Sequence, residues 1–303
     1  MNDGAVSLHT LVRLWNDFMF TPQSSATMVV FRIAFSVLLL VDAIFHAKGM
    51  ALFFGPHGVL NFAAWKREFS PRVFSVFTYT SGSMTAVRSV FALHFFCIFC
   101  VLLGWHTQLF AVVLFVTLTS IQHRNPVILN SGDVAMRLML FLFMFESNAD
   151  SMLSIGAPVG AFQNAALEEP WCQRLMQLLV ANIYFKSMYW KLLGSMWREG
   201  SAVFYVINIK RYQRLRFPDF ARHPFVFQVL TWSTLVIWGS LSSLIWIEEF
   251  RYPLILIGVL FHLGMDLFLK IRLFQWVMMT GLILFINPAD AEWAIRIMMT
   301  WLW

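Results

Sequence analysis

The chain has 303 residues, of which 59% are hydrophobic, 17% aromatic and 13% charged, with a formal net charge of +6. That balance leaves too little polar surface to coat a water-soluble particle. The apolar residues fall in continuous runs of about 17 to 25, the length a helix needs to cross roughly 30 Å of hydrocarbon, which excludes both a soluble globular domain and a barrel of alternating strands.

In chain order, Leu8–Phe20 carries Arg13, Asn16 and Asp17 among apolar residues and reads as a helix lying in the membrane interface. No basic patch leads into an apolar core with a small-residue cleavage site, so no cleavable signal peptide is expected and the first span serves as the insertion signal. Eight candidate spans follow: Ala26–Ala47, Ala86–Trp105, Gln108–Gln122, Asp133–Phe145, Leu175–Leu193, Phe225–Ile247, Pro253–Leu269 and Leu273–Ile286. The third and fourth are short for a crossing. The longer connections, Lys48–Thr85, Glu146–Trp171 and Gly194–Pro224, hold no separate soluble domain, and no internal repeat or low-complexity tract is present. Asp290–Trp303 places three tryptophans around Arg296 and reads as an interfacial anchor. The expected architecture is all-α: a single polytopic membrane helical bundle over residues 1–303, with about eight transmembrane helices plus interfacial N- and C-terminal helices.

Connections after the odd-numbered spans hold fourteen Lys and Arg residues, from Lys48 to Arg272, against four on the opposite side, Arg13, Arg174, Arg251 and Arg296. The positive-inside rule then puts the odd connections in the cytoplasm and both termini outside. Basic loops beside anionic lipid account for the pI near 9.5, so membrane lipid is the expected partner and no nucleic acid is.

Cys97, Cys100 and Cys172 cannot build a disulfide framework. Cys97 and Cys100 form C-x-x-C within the second span, where small apolar thiols usually fill helix interiors; a redox pair is the sharper alternative, and no metal is expected. Ionisable groups at bilayer depth cost several kcal/mol, about 3 on insertion scales, unless they are paired or wet. Arg32 and Asp42 lie in the first span, and Asp133 and Arg137 share a face of the fourth. Asn182, Lys186 and Tyr189 form a stripe on the fifth with Lys191 displaced from it, and His262, Asp266 and Lys270 form another on the seventh. Each pair alone fits an ion pair that fixes packing; all of them facing one buried pocket is the sharper reading. Between Arg124 and Asp133, Asn130 or Ser131 can cap the fourth helix, and Gly132 allows close backbone approach. Arg124 fits an anion or lipid-headgroup contact as well as a structural role.

The run Val30-Phe-Arg-Ile-Ala-Phe-Ser-Val-Leu-Leu-Leu-Val-Asp42, the segment Arg124…Asn130-Ser-Gly-Asp133…Arg137, Tyr184-Phe185…Lys191…Trp197-Arg-Glu-Gly200, and Phe261-His262…Phe285…Pro288 resemble, in order and spacing, the membrane domain of vitamin K-dependent γ-glutamyl carboxylases. Bacterial proteins of this kind form the horizontally transferred transmembrane, or HTTM, family, and the resemblance covers roughly Thr21 to Trp293. It implies a multi-pass protein of the bacterial inner membrane. In the carboxylases a lysine pair supplies the base that deprotonates reduced vitamin K for reaction with O2. Here one lysine stands in that place. Counted from Tyr184-Phe185, Lys191 is the catalytic member; counted back from Trp197-x-Glu-Gly it is the neighbour, and Leu192 takes the catalytic position. A family histidine before the fourth span is replaced near Gly132, and the large lumenal region is absent, which argues against glutamate carboxylation. His262 matches the histidine of the penultimate helix. The resemblance also places the odd connections in the lumen, opposite to the charge rule.

Two function classes follow. In one, Lys191 and His262 are catalytic, with Lys191 the general base on a quinol-like or peptide substrate, a reduced quinone of the vitamin K type and O2 as cosubstrates, and Arg124, Asp133, Arg137, Lys186, Trp197, Glu199 and Asp266 lining the site. In the other, the buried charges are structural and the protein is a nonenzymatic scaffold or a partner in maturing a secreted peptide, including peptide toxins. A transporter is a weaker third reading, because matched helices broken by Gly or Pro are lacking.

Overall fold

In the computed structural model, which describes residues 7–147, 149, 151–155, 166–219 and 222–302, the chain is a helical bundle. The middle of the Glu146–Trp171 connection and Trp303 of the C-terminal tail lie outside the described residues. The helices are α1 (Leu8–Phe20), α2 (Ala26–Lys48), α3 (Met50–Phe54), α4 (Phe62–Glu68), α5 (Met84–Leu102), α6 (Thr107–Arg124), α7 (Ser131–Phe143), α8 (Trp171–Leu193), α9 (Ser195–Arg198), α10 (Ala202–Asn208), α11 (Pro224–Ser243), α12 (Glu248–Phe268), α13 (Phe274–Ile283) and α14 (Pro288–Leu302). Two short strands, β1 (Gln23–Ser24) and β2 (Leu167–Glu168), pair antiparallel with Gln23 opposite Glu168.

Helix starts follow local chemistry. Ser7 caps α1 by accepting from the Thr10 amide, and Ser83 caps α5 by accepting from Ala86. Asn130 accepts from the Gly132 amide at 2.7 Å while Asp133 Oδ2 accepts from the Asn130 amide at 2.7 Å, so the two close a capping box at the head of α7. Gly132 also lets α7 approach α13, since a Cβ there would lie 2.9 Å from the Phe274 Cα.

The core joins α2, α5–α8 and α11–α13. Phe31 stacks on Phe35 with ring centroids 5.0 Å apart, and both meet Phe143 of α7. Gly258 packs against Leu282, and Gly281 against Val180 and Met139. Outside this core, Phe96, Phe99, Leu109, Val236, Leu256 and Leu260 are all exposed. An apolar exterior of that kind suits lipid and not water.

The expectation of about eight spans is not confirmed. Each of the eight expected runs falls on a helix, but four helical segments are long and apolar enough to cross a membrane: Ala26–Lys48, Met84–Leu102, Pro224–Trp246 and Glu248–Phe268. At 13 and 10 residues, α7 and α13 are about 20 and 15 Å long. Length is not what fails in α6 and α8. Gln122, His123 and Arg124 dilute α6, and Gln173, Arg174, Gln177, Lys186 and Lys191 dilute α8.

One buried charge ties the chain ends of this core together. Arg32, fully buried in α2, donates to the carbonyls of Val101 (2.9 Å) and Leu102 (2.8 Å) at the end of α5, and to Met152 (3.3 Å) and Leu153 (2.7 Å) beyond α7. The α5–α6 turn is shaped to admit it: Gly104 has φ +70, and a Cβ there would sit 2.7 Å from the Arg32 guanidinium. Arg32→Leu is expected to lower stability by on the order of 3 kcal/mol, because several buried carbonyls lose their donor, and thermal unfolding in detergent would report it. Asn130→Ala should cost about 1 kcal/mol and speed hydrogen exchange at the Gly132 amide, with little change elsewhere.

Candidate functional site

Lys191 lies in the last turn of α8. Gly194 then leaves the helix in an extended conformation and returns through α9, which carries Trp197 back over the lysine. Lys191 Nζ sits 3.6 Å from the ring centroid of Trp238 on α11 and 5.1 Å from that of Trp197. Among the described residues it has no hydrogen-bond or carboxylate partner. In the Trp197-Arg-Glu-Gly200 motif, Glu199 is exposed and closes α9 through its backbone amide, while Gly200, at φ +83, allows close contact with Gln228.

Trp238 leads inward. Its ring packs on Tyr184 with centroids 6.2 Å apart, and the Tyr184 hydroxyl lies 2.8 Å from His262 Nε2. On the other side, His262 Nδ1 lies 2.5 Å from Gln275 Oε1. An amide oxygen only accepts, so Nδ1 carries the proton and Nε2 accepts from the tyrosine. Lys191 and His262 are thus joined through Trp238 and Tyr184, with both imidazole nitrogens engaged.

Of the other expected site residues, Trp197 joins this pair through Lys191, and Asp133, Arg137, Arg124 and Asp266 bond elsewhere. Asp133 is spent on the α7 capping box, and Arg137 donates to Gln122 Oε1 at 2.9 Å. Although they share a helix face, they form no ion pair with each other. Arg124 is fully buried between the Phe62 and Trp65 rings and donates to the carbonyls of Gly55 and Leu60, each at 3.0 Å. Asp266 pairs with Arg214 at 3.1 Å, and Lys270 falls beyond the end of α12, so the expected His262–Asp266–Lys270 stripe into the bundle reduces to His262. Asn182, Lys186 and Tyr189 are exposed; the buried polar side chain on α8 near them is Tyr184. Among the described residues, Asp133, Arg137, Arg124 and Asp266 thus each bond to a partner other than Lys191 or His262. Cys97 and Cys100 are buried free thiols on α5.

A second polar group, built from residues the sequence reading did not join, stands at the end of α2. His46 Nδ1 lies 3.1 Å from Asp42 Oδ2, one helical turn before it, and both side chains are buried. The other ring nitrogen faces the Arg272 guanidinium at 3.4 Å, and Arg272 also donates to the Ile128 carbonyl. Asp133 lies within electrostatic reach of all three. A cavity of about 420 Å³ opens here, lined by Phe45, His46, Phe53, Ile128, Arg272 and Leu273. A histidine oriented by a carboxylate can accept a proton at its second nitrogen, with Arg272 beside any anion that results. The i,i+4 spacing of Asp42 and His46 was a usable signal. Gln275 is uncharged and offers none, and Arg272 reads in the sequence as one more basic loop residue. Among the described residues, no three His, Cys, Asp or Glu side chains gather to hold a metal.

No curated protein and no solved structure matches the chain. The HTTM domain family matches it over residues 20–293, from the end of α1 into α14. That span takes in Arg32, the Asp42–His46 pair, Lys191 with its two tryptophans, and His262. The chain therefore belongs to the HTTM domain family and is a membrane protein related to the membrane domain of the γ-carboxylases.

Proposed function

We propose that the chain is a membrane enzyme of proton-transfer chemistry, with Lys191 as general base on a quinol-like or peptide substrate. The observation that carries this reading is the Lys191 amine lying against Trp238 and Trp197 without a carboxylate of its own. A lysine in an ion pair is committed to that pair, whereas this one can exchange a proton with a substrate hydroxyl. In that step the proton leaves the substrate oxygen for the amine, leaving an anion beside a new ammonium. The face of Trp238 stabilises that ammonium, by about 1–2 kcal/mol where water is excluded. The indole faces of Trp197 and Trp238 offer aromatic surface beside the amine, and the amine offers the acceptor that a quinol hydroxyl needs. Bound there, such a quinol would supply an acidic hydroxyl and the electrons that O2 accepts. His262 acts as a positioning residue: it holds the Tyr184 hydroxyl, and Tyr184 sets the Trp238 ring. A bacterial inner-membrane location and a secreted peptide partner belong to the same reading.

A second reading, a nonenzymatic scaffold or peptide-maturation partner, draws support from Arg32 and Arg124, whose buried guanidinium groups donate to backbone carbonyls of neighbouring segments. The two separate in one experiment. The protein in lipid nanodiscs is supplied with a reduced vitamin K-type quinol and O2, and quinol consumption is followed by mass spectrometry. Wild type should turn over, and Lys191→Ala should fall by at least about a hundredfold with an unchanged thermal midpoint. No quinol consumption by wild type, or unfolding of Lys191→Ala, would sink the enzyme reading in favour of the scaffold.

A further inference from the structure

At the opposite end of α8 from Lys191, a polar cavity of about 360 Å³ collects side chains that the proposed function does not use. Arg174 lies in the first turn of α8, 17 residues before Lys191, so roughly 25 Å of helix separates the two ends. The Arg174 guanidinium is held in place: it lies 4.7 Å from the Phe18 ring centroid and donates to the Phe18 carbonyl, to Gln177 Oε1 and to Gln23 Oε1. Three bonds leave part of its five-donor fork open to the cavity. Across from it stands Arg251, in the first turn of α12, close enough for each cation to feel the other. Arg251 makes no hydrogen bond or ion pair with any described residue.

Two guanidinium groups facing one cavity repel each other unless an anion lies between them. The wall does supply one carboxylate, Glu292, but it is already committed. Glu292 accepts from Arg296 at 2.7 Å and from the Ser24 hydroxyl at 2.8 Å, and Arg296 holds its carboxyl below the usual range. The remaining polar wall is amide: Gln173 and Gln177 both donate to the Leu284 carbonyl, and Asn287 completes the rim. Depth points the same way. The amphipathic helix α1, which reads as interfacial, supplies the carbonyl that anchors Arg174, and α14 opens at the cavity edge. Phosphate groups of lipid lie at that level of a bilayer.

We infer that this cavity is a binding site for a phosphate-type oxyanion, held between Arg174 and Arg251. The anion is either the headgroup of an acidic phospholipid or free phosphate from the aqueous side. Its failure leaves the Lys191 reading untouched, because the two sites share no residue.

The test uses the full chain in nanodiscs, comparing wild type with Arg251→Gln and Arg251→Lys. Arg251 has no hydrogen-bond or ion-pair partner among the described residues to lose, so both variants should keep the wild-type thermal midpoint. In one arm, nanodiscs of phosphatidylcholine with and without phosphatidylglycerol are analysed by native mass spectrometry for retained acidic lipid. In the other, inorganic phosphate is titrated calorimetrically into protein held in phosphatidylcholine alone. Binding in wild type that weakens about tenfold in Arg251→Gln and less in Arg251→Lys supports the site, and the arm in which it is seen names the source. Binding in neither arm, or binding that Arg251→Gln leaves unchanged, overturns it.

Discussion

The fold depends on what a buried guanidinium demands. Arg32 sits among Phe31, Phe35 and other core side chains of α2, where an unsatisfied charge would cost several kcal/mol, at least about 3. Four backbone carbonyls meet part of that demand. The chain ends α5 so that Val101 and Leu102 present theirs, and it turns at Gly104, where a side chain would collide with the guanidinium. The segment beyond α7 then brings in Met152 and Leu153. Helix length, turn geometry and the path of a connecting loop are therefore set together by one side chain. Arg124 repeats the device near the other end of the bundle, gathering Gly55 and Leu60 from the α3–α4 connection.

Polar chemistry left over from this bonding is sorted by depth. His262 is deepest, with Tyr184 and Gln275 occupying its two nitrogens. Lys191 and the Asp42–His46–Arg272 group lie near helix ends, beside aromatic surface or an open cavity. Arg174 and Arg251 share the far end of α8 with an interfacial helix. The groups that hold the core bond to backbone or side chains inside the bundle, and the groups beside open space are those at the ends.

The helices were legible in the sequence because apolar runs and capping residues act locally. Leu8–Phe20 coincides with α1, and the Asn130…Asp133 spacing marks the start of α7. Membrane crossing was less legible. A 13-residue or a Gln-rich helix can sit inside a bundle if its neighbours carry the lipid contact, and hydropathy along one segment does not register neighbours. The same limit governed the site. Asp133 and Arg137 have the spacing of a pair, yet the backbone of Asn130 and the amide of Gln122 lie closer to them. The Asp42–His46 pair was readable from spacing, whereas its partner Arg272 comes from 226 residues away and is brought in only by the turn between α12 and α13.

The polarity of α8 also bears on how the protein is made. A helix bearing Gln173, Arg174, Gln177, Lys186 and Lys191 is too polar to partition by itself from a translocation channel into lipid, where each basic side chain near the middle is opposed by about 2.5–3.5 kcal/mol. Its most extensive neighbour, α11, is one of the strongly apolar segments and is synthesised some thirty residues later. Retention of α8 at the channel until α11 emerges would let the two enter as a hairpin, with the tryptophan that faces Lys191 arriving on the helix that carries α8 into the bilayer.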